Sequence, residues 1–197
     1  MTDLIENAQT AAEIIMNFKN YCATGQHLII PEGVTEIGMG AFYRDGSDGY
    51  GDSYMLTLTL PSTVKIISYN SFAHNSHLQE LIIPHGCEIL YSRAFYGCTG
   101  LTTLSLPNTL LHVYANCVTP TSKLTTVILE QGFDCNLSSN LPFTNANLSA
   151  EVMVNMFNAL SDHTGLSSNT LVLGSANLAK LTEEQKAIAT NKNWNLA

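Results

Sequence analysis

The amino-acid sequence predicts an α/β solenoid, in which short β-strands stack side by side and helical turns connect them. Two observations carry this prediction: apolar residues recur in fixed columns, and a proline follows one apolar segment in every unit. Pro61, Pro84 and Pro107 stand at equal intervals, whereas the interval from Pro31 to Pro61 is longer. The unit from one of these prolines to the next is too short to bury its own apolar face. We therefore expect successive units to stack and share one interior.

The columns keep their register over four units. The positions three, six and eleven residues after each proline are all apolar: Val34, Val64, Cys87 and Leu110; Ile37, Ile67, Leu90 and Val113; Phe42, Phe72, Phe95 and Val118. Ahead of the proline, the apolar segment at 81–83 predicts a short strand, which the proline ends because it lacks the N–H needed to continue a ladder. The pair Ala94 and Phe95 predicts a helical turn or tight bend that directs one ring per unit into the interior.

The segment from Leu78 to Pro107 carries a family resemblance. It reads LQELIIPHGCEILYSRAFYGCTGLTTLSLP and resembles the BspA-like class of leucine-rich repeat, whose pattern is LxxLxIPxxVxxIxxxAFxxC. The resemblance covers roughly residues 28–130 and implies an α/β leucine-rich repeat solenoid. Such arrays occur in surface proteins of mucosal and gut bacteria, so the resemblance also implies adhesion or host-protein binding at the cell surface or outside the cell.

The chain divides into an array and two candidate caps. The predicted parts are an N-terminal helical cap at 1–27, a repeat array of four to five units at 28–130, and a C-terminal capping segment at 131–197. Ser149 is expected to begin a helix that ends near Gly165, and a short strand is expected at 171–173. Thr182 and Gln185 match a capping box at the start of a last helix. Caps are expected because a terminal coil would otherwise expose an apolar face.

The longer first interval indicates a loop insertion at 43–54, with the sequence YRDGSDGYGDS within it. Insertions in repeat arrays are tolerated where a turn faces solvent and often carry function. The candidate binding residues of this loop are Asp45, Asp48, Tyr50 and Asp52. The three carboxylates also suit a hard cation such as calcium, although their spacing differs from an EF-hand loop. A solvated acidic loop is the competing interpretation, and we assign no metal site.

Composition excludes several functions. Eight Lys and Arg against sixteen Asp and Glu give a net charge of −8, so the chain has no basic surplus for nucleic acid. No apolar stretch approaches the roughly 20 residues of a membrane-spanning helix, so no membrane insertion is expected. The segment from Met1 to Tyr21 places acidic side chains among apolar ones, so it does not form a secretory signal peptide.

No motif in the sequence predicts catalysis. It contains no GxSxG, HExxH, GxxxxGK[ST] or Rossmann glycine triplet, so we expect neither an enzyme nor a cofactor. The cysteines are odd in number and form no CxxC pair, and Cys87 and Cys117 occupy core columns. His74, His77 and His85 fall in turns and are interpreted as exposed side chains instead of zinc ligands.

The outward side of the strands is the candidate binding face. Alternation sends every second strand residue to solvent, and His27 and Ile29 begin this series. The candidate residues that follow are Thr57, Thr59, Glu80, Ile82, Thr103, Ser105, Thr126 and Ile128. We therefore expect a binding or adhesion module that presents this face to a protein or carbohydrate partner. The alternatives are an ordinary strand surface without a ligand, or a structural component of a larger bacterial surface or phage-like assembly.

Overall fold

The computed structural model describes residues 27–44, 55–135, 137 and 143–197. The predicted N-terminal cap, apart from His27, and most of the predicted loop insertion lie outside these residues. The strands are β1 His27–Ile29, β2 Glu36–Ile37, β3 Thr57–Thr59, β4 Ile66–Ile67, β5 Glu80–Ile82, β6 Ile89–Leu90, β7 Thr103–Leu106, β8 His112–Val113, β9 Thr126–Leu129, β10 Asn169–Leu171 and β11 Trp194–Leu196. The helices are α1 Ala150–Ala159, α2 Ser175–Leu178 and α3 Glu183–Thr190.

Parallel strands form one side of each coil. β5, β7 and β9 pair in that order, and β1 pairs with β3, which lies beside β5. The second residue of each strand points inward, so Leu58, Leu81, Leu104 and Val127 are buried. This side therefore follows from the alternation in the sequence, because each of these apolar side chains stands between two outward ones.

A second parallel sheet forms another side of the coil and was not predicted from the sequence. It runs β2, β4, β6, β8, with only two residues in each strand. Its inward column is Ile37, Ile67, Leu90 and Val113, all buried. The sequence shows this apolar column, but a two-residue strand has no alternation from which a sheet can be recognised.

The third side consists of turns that carry the phenylalanine column. The Phe42 and Phe72 ring centroids lie 5.0 Å apart with planes 10° from parallel, and those of Phe72 and Phe95 lie 5.1 Å apart at 6°. Val118 is buried at the same position of the next coil. The bend between sheet and column is a hydrogen-bonded turn, in which the Ala94 N–H donates to the Tyr91 carbonyl at 3.2 Å. The predicted layering of the rings is confirmed.

Buried polar side chains join neighbouring coils next to the rings. Asn75 donates through Nδ2 to the carbonyls of Phe42 at 3.0 Å and of Phe72 at 2.8 Å. In the next coil the Cys98 thiol takes the same position and contacts the Phe72 carbonyl at 3.4 Å. These contacts satisfy backbone carbonyls inside the bend.

The segment that follows β9 packs against that strand. Ser149 Oγ accepts from the Val152 N–H at 3.1 Å and begins α1, which contacts β9. The helix ends at Ala159, well before Gly165, and the later strand lies at Asn169–Leu171, two residues earlier than expected.

The end of the chain returns to the same core. The expected capping box at Thr182 and Gln185 is present at the start of α3, with both hydrogen bonds formed. Beyond α3, β11 pairs in parallel with β10, and the buried Trp194 ring donates from Nε1 to the Ser161 carbonyl at 3.0 Å. Buried apolar residues form one continuous cluster from Leu28 to Trp194. Among the described helices none is long and apolar enough to span a membrane.

Candidate binding surface

The outward residues of the first sheet line up in two rows. The first row pairs His27 with Thr57, and Glu80 with Thr103 and Thr126. The second row pairs Ile29 with Thr59, and Ile82 with Ser105 and Ile128. Strand pairing places equivalent residues of β1 and β3, and of β5, β7 and β9, about 4.8 Å apart. Because β3 lies beside β5, the predicted face residues lie on one surface. We call this surface the sheet face.

The second row alternates between isoleucine and hydroxyl side chains. Ile29, Ile82 and Ile128 are 47%, 51% and 52% exposed. Between them stand Thr59 and Ser105, so an aliphatic side chain recurs on every second coil. Exposed aliphatic side chains at regular intervals are suited to packing against another protein, because their burial removes apolar surface from water.

The first row is polar. His27 Nδ1 is within hydrogen-bond distance of Thr57 Oγ1, and Thr103 and Thr126 lie half-buried in register. Glu80 is exposed in the third coil, on the other side of Thr103 from Thr126. Only His27 and Glu80 on the sheet face carry ionisable side chains, so the surface is close to neutral in a chain with a net charge of −8.

The predicted loop residues cannot be placed on this surface. Asp45, Asp48, Tyr50 and Asp52 lie outside the described residues. Their proposed part in binding stays a prediction. Within the parts of the chain that the structure describes, no three His, Cys, Asp or Glu side chains are grouped to hold a metal ion.

The cysteines near the candidate sites are core residues. Cys87, Cys98 and Cys117 are free and buried. Burial raises the pKa of the Cys87 thiol to about 11 and those of Cys98 and Cys117 to about 12. A thiol with such a pKa is protonated at neutral pH and is a poor nucleophile or metal ligand. This agrees with the interpretation of Cys87 and Cys117 as core side chains.

The turn histidines contact other side chains of the array. His74 is exposed and lies edge-on to the rings of Tyr43 and Tyr96, at centroid distances of 5.7 and 5.4 Å. His85 Nδ1 lies 3.0 Å from both carboxylate oxygens of Glu130, two coils away. Hydrogen bonds from His85 and from the Asn108 N–H lower the pKa of Glu130. Neither histidine lies in a cluster of candidate metal ligands among the described residues.

An aromatic column on the second sheet was not predicted as a functional feature. The rings of Tyr91 and Tyr114 stack with centroids 5.1 Å apart and planes 4° from parallel. Arg93, two residues after Tyr91, has its Nη1 3.4 Å from the Tyr69 hydroxyl. The signal was present in the sequence, because Tyr91 and Tyr114 are one repeat apart and therefore share a column.

A polar cluster in the C-terminal segment was also missed. His163 Nε2 contacts the Asp134 carboxylate, and its Nδ1 lies 3.0 Å from the Ser167 carbonyl. Ser161 Oγ donates to the same Asp134 oxygen at 2.8 Å. Because both imidazole nitrogens face acceptors, the arrangement favours the doubly protonated ring and raises the pKa of His163. The serine hydroxyl bonds to the carboxylate and not to the imidazole, so this is not a nucleophile activated by histidine.

The comparisons with known proteins agree with the repeat geometry. The family described as BspA type leucine rich repeat region matches residues 46–164 in 6 copies, which is more than half of the chain. No curated protein matches the chain. Families of this kind are typically non-enzymatic binding scaffolds. With its parallel strands stacked coil on coil around one apolar interior, the chain belongs to the BspA-type leucine-rich repeat family.

Proposed function

We propose that this protein is a non-enzymatic binding module that presents the sheet face to a protein partner. The observation that carries the proposal is the row of Ile82, Ser105 and Ile128, in which two half-exposed isoleucines flank a hydroxyl at fixed spacing. In a rigid array these side chains keep their spacing before a partner arrives. Association then loses less conformational entropy than binding by a flexible surface.

The chemistry of the sheet face favours protein over carbohydrate as its partner. Isoleucine offers no flat aromatic surface and no hydrogen bonds to a sugar, whereas it packs well against apolar side chains of another protein. The hydroxyls of Thr103 and Thr126 add hydrogen-bonding groups in the neighbouring row. The resulting mixture of apolar and neutral polar groups is typical of a non-obligate protein interface.

The test compares variants that alter the sheet face without touching the core. Ile82→Lys and Thr103→Lys each place a charge in the contact area, and Leu111→Lys is the matched control because Leu111 is 63% exposed elsewhere on the array. Binding to a panel of purified mucosal and extracellular-matrix proteins is measured by biolayer interferometry. We expect at least about tenfold weaker binding for the two sheet-face variants, with unchanged melting temperature. Equal binding by all variants would remove the sheet face from consideration.

The alternative is a structural component that associates with copies of itself. Light scattering over a range of concentrations separates the two functions. Assembly is supported if the mass of the wild-type protein rises with concentration and the mass of Ile82→Lys is lower. The protein should then also show no affinity for other proteins. A constant monomer mass together with binding to a panel protein supports the binding module.

A further inference from the structure

We propose that the second sheet carries a separate binding notch for a glycan that contains hexuronic acid. The notch is formed by Gly38, Ser68, Tyr69, Tyr91 and Arg93. It lies on a different side of the coil from the sheet face, because its residues follow the strands β2, β4 and β6.

One ring face of Tyr91 is open toward the preceding coil. Its other face stacks on Tyr114 of the next coil, with ring centroids 5.1 Å apart. Because this distance is close to the spacing of neighbouring strands, about 4.8 Å, the planes of both rings are roughly perpendicular to the axis of the array. The N–H groups of Ser68 and Tyr91 donate to the carbonyls of Ile37 and Ile67, which are equivalent positions of the ladder. Ser68 therefore occupies the column of Tyr91 one coil earlier, and its side chain is too small to cover the ring. Tyr91 is 38% exposed.

The notch also contains a cation that has no acidic partner among the described residues. The Arg93 guanidinium lies 5.4 Å from the centroid of the Tyr96 ring, and its Nη1 lies 3.4 Å from the Tyr69 hydroxyl. Across the described ranges, no carboxylate forms an ion pair with Arg93. In a chain with a net charge of −8, such a guanidinium is complementary to an anion and binds carboxylates through paired N–H donors.

Arg93 also has an unusual backbone conformation. Arg93 has a positive φ of 58°, and the equivalent positions of the other coils are Gly40, Asn70 and Asn116, with φ between 56° and 63°. Glycine and asparagine adopt this left-handed conformation readily, whereas other side chains are disfavoured there by about 1 kcal/mol or more. The backbone conformation therefore does not favour an arginine at this position, and we infer that its side chain has a function.

A hexuronic acid satisfies both features at once. The apolar C–H face of a pyranose ring can pack on the open face of Tyr91, as apolar groups do on aromatic rings. An equatorial carboxylate lies near the plane of that ring, where the Arg93 guanidinium reaches toward Tyr69. A peptide carboxylate would use Arg93 but leave the Tyr91 face uncovered, so the geometry favours the sugar.

Glu36 determines the orientation of the bound sugar. Its carboxylate accepts a hydrogen bond from Ser68 Oγ at 2.9 Å and lies one coil further from Arg93. Two carboxylates repel each other, so the acid group of the ligand is directed toward Arg93. The sugar hydroxyls then face Glu36 and can donate hydrogen bonds to it.

Isothermal titration calorimetry at low ionic strength tests the proposal. The probe is a tetrasaccharide of alternating glucuronic acid and N-acetylglucosamine, and the neutral comparison is the N-acetylglucosamine tetramer. We expect the acidic tetrasaccharide to bind at least about tenfold more tightly, because a charge-assisted hydrogen bond is lost with the neutral sugar. A penta-glutamate peptide and 3′-sialyllactose test the other anionic ligands. Equal or tighter binding of either one, or no binding of the acidic tetrasaccharide, would overturn the proposal.

Three variants locate the bound sugar. Ser68→Tyr extends the tyrosine stack and covers the open ring face while Tyr69, Tyr91 and Arg93 stay in place, so it should abolish binding. Arg93→Asn keeps a residue suited to the backbone and should weaken binding at least about tenfold. Tyr114→Phe keeps the ring on the covered side and is the matched control. Binding that persists in Ser68→Tyr would contradict the notch. So would loss of binding in Tyr114→Phe if that variant has the melting temperature of the wild type.

Failure of this proposal is distinguishable from failure of the proposed protein-binding function. The sheet-face variant Thr103→Lys leaves every notch residue in place and should bind the tetrasaccharide as the wild type does. Loss of tetrasaccharide binding in Thr103→Lys would place the sugar on the sheet face and contradict the notch.

Discussion

The rings of Phe72 and Phe95 lie parallel within 6° at a centroid distance of 5.1 Å, although a full repeat of the chain separates them. Each ring is fully buried, and each stacks on a ring of a neighbouring coil. Neither coil could bury its phenylalanine alone. The stability of each coil therefore depends on its neighbours, as expected for a short repeat array.

Truncation of the middle ring should destabilise the whole array. Phe72 contacts Phe42 on one side and Phe95 on the other, so Phe72→Ala leaves a cavity between coils. We expect the free energy of unfolding to fall by about 3–5 kcal/mol, measured by urea denaturation. The exposed Leu111→Ala is the control and should change it by less than about 0.5 kcal/mol. Similar losses in both variants would show that the rings do not form the shared interior.

Replacement of the arginine in the left-handed column should stabilise the fold. Arg93→Asn introduces the residue found at Asn70 and Asn116, and we expect a gain of about 0.5–1 kcal/mol in the free energy of unfolding. Urea denaturation measures the gain, and the reciprocal Asn116→Arg should lose a similar amount. If Arg93→Asn is instead destabilising, the contacts of Arg93 with Tyr69 and Tyr96 contribute more than the backbone conformation costs.

Stability should depend on pH through His163. The Asp134 carboxylate raises the pKa of His163 above its usual value of 6.5. The stabilisation is therefore complete below pH 6.5 and is lost as the pH rises through the higher pKa of the folded state. We expect the melting temperature of the wild type to fall over that rise in pH, and that of Asp134→Asn to fall less. Parallel pH profiles for the two proteins would contradict this role of the ion pair.

The buried thiols should resist modification until the protein unfolds. Burial raises the pKa of Cys98 and Cys117 to about 12, and of Cys135 to about 11. The reactive thiolate is therefore scarce at neutral pH. We expect iodoacetamide to label these residues in urea and to leave them unlabelled in buffer, as measured by peptide mass spectrometry. Rapid labelling of Cys98 in buffer would show that the described packing opens readily.

The regular part of the fold could be predicted because one physical requirement repeats in every unit. Leu81 and Leu104 must face inward for the coils to share a core, and the sequence places them one repeat apart. Asn75 and Cys98 likewise stand one repeat apart, and both contact the Phe72 carbonyl. Column positions transfer from coil to coil, so one correctly interpreted unit predicts the others.

The remainder depends on contacts that do not repeat. Asp134 and His163 contact each other at a separation of 29 residues, which differs from the interval between Pro61, Pro84 and Pro107, so the columns of those units do not relate them. The notch depends on a difference between coils, namely Ser68 where the next coil has Tyr91. Recurring columns do not reveal such a difference between coils, although this difference creates the open ring face.

Amide hydrogen exchange tests the central claim, that the coils share one interior and hold the sheet face rigid. The measurement follows the N–H groups of β5, β7 and β9 in the wild type and in Phe72→Ala. We predict that all three strands exchange with one common free energy, and that the substitution lowers protection equally in each, including β9, which lies two coils beyond β5 in the same sheet. Loss of protection confined to β5, with β7 and β9 unchanged, would show that the coils are stabilised separately and would contradict the account.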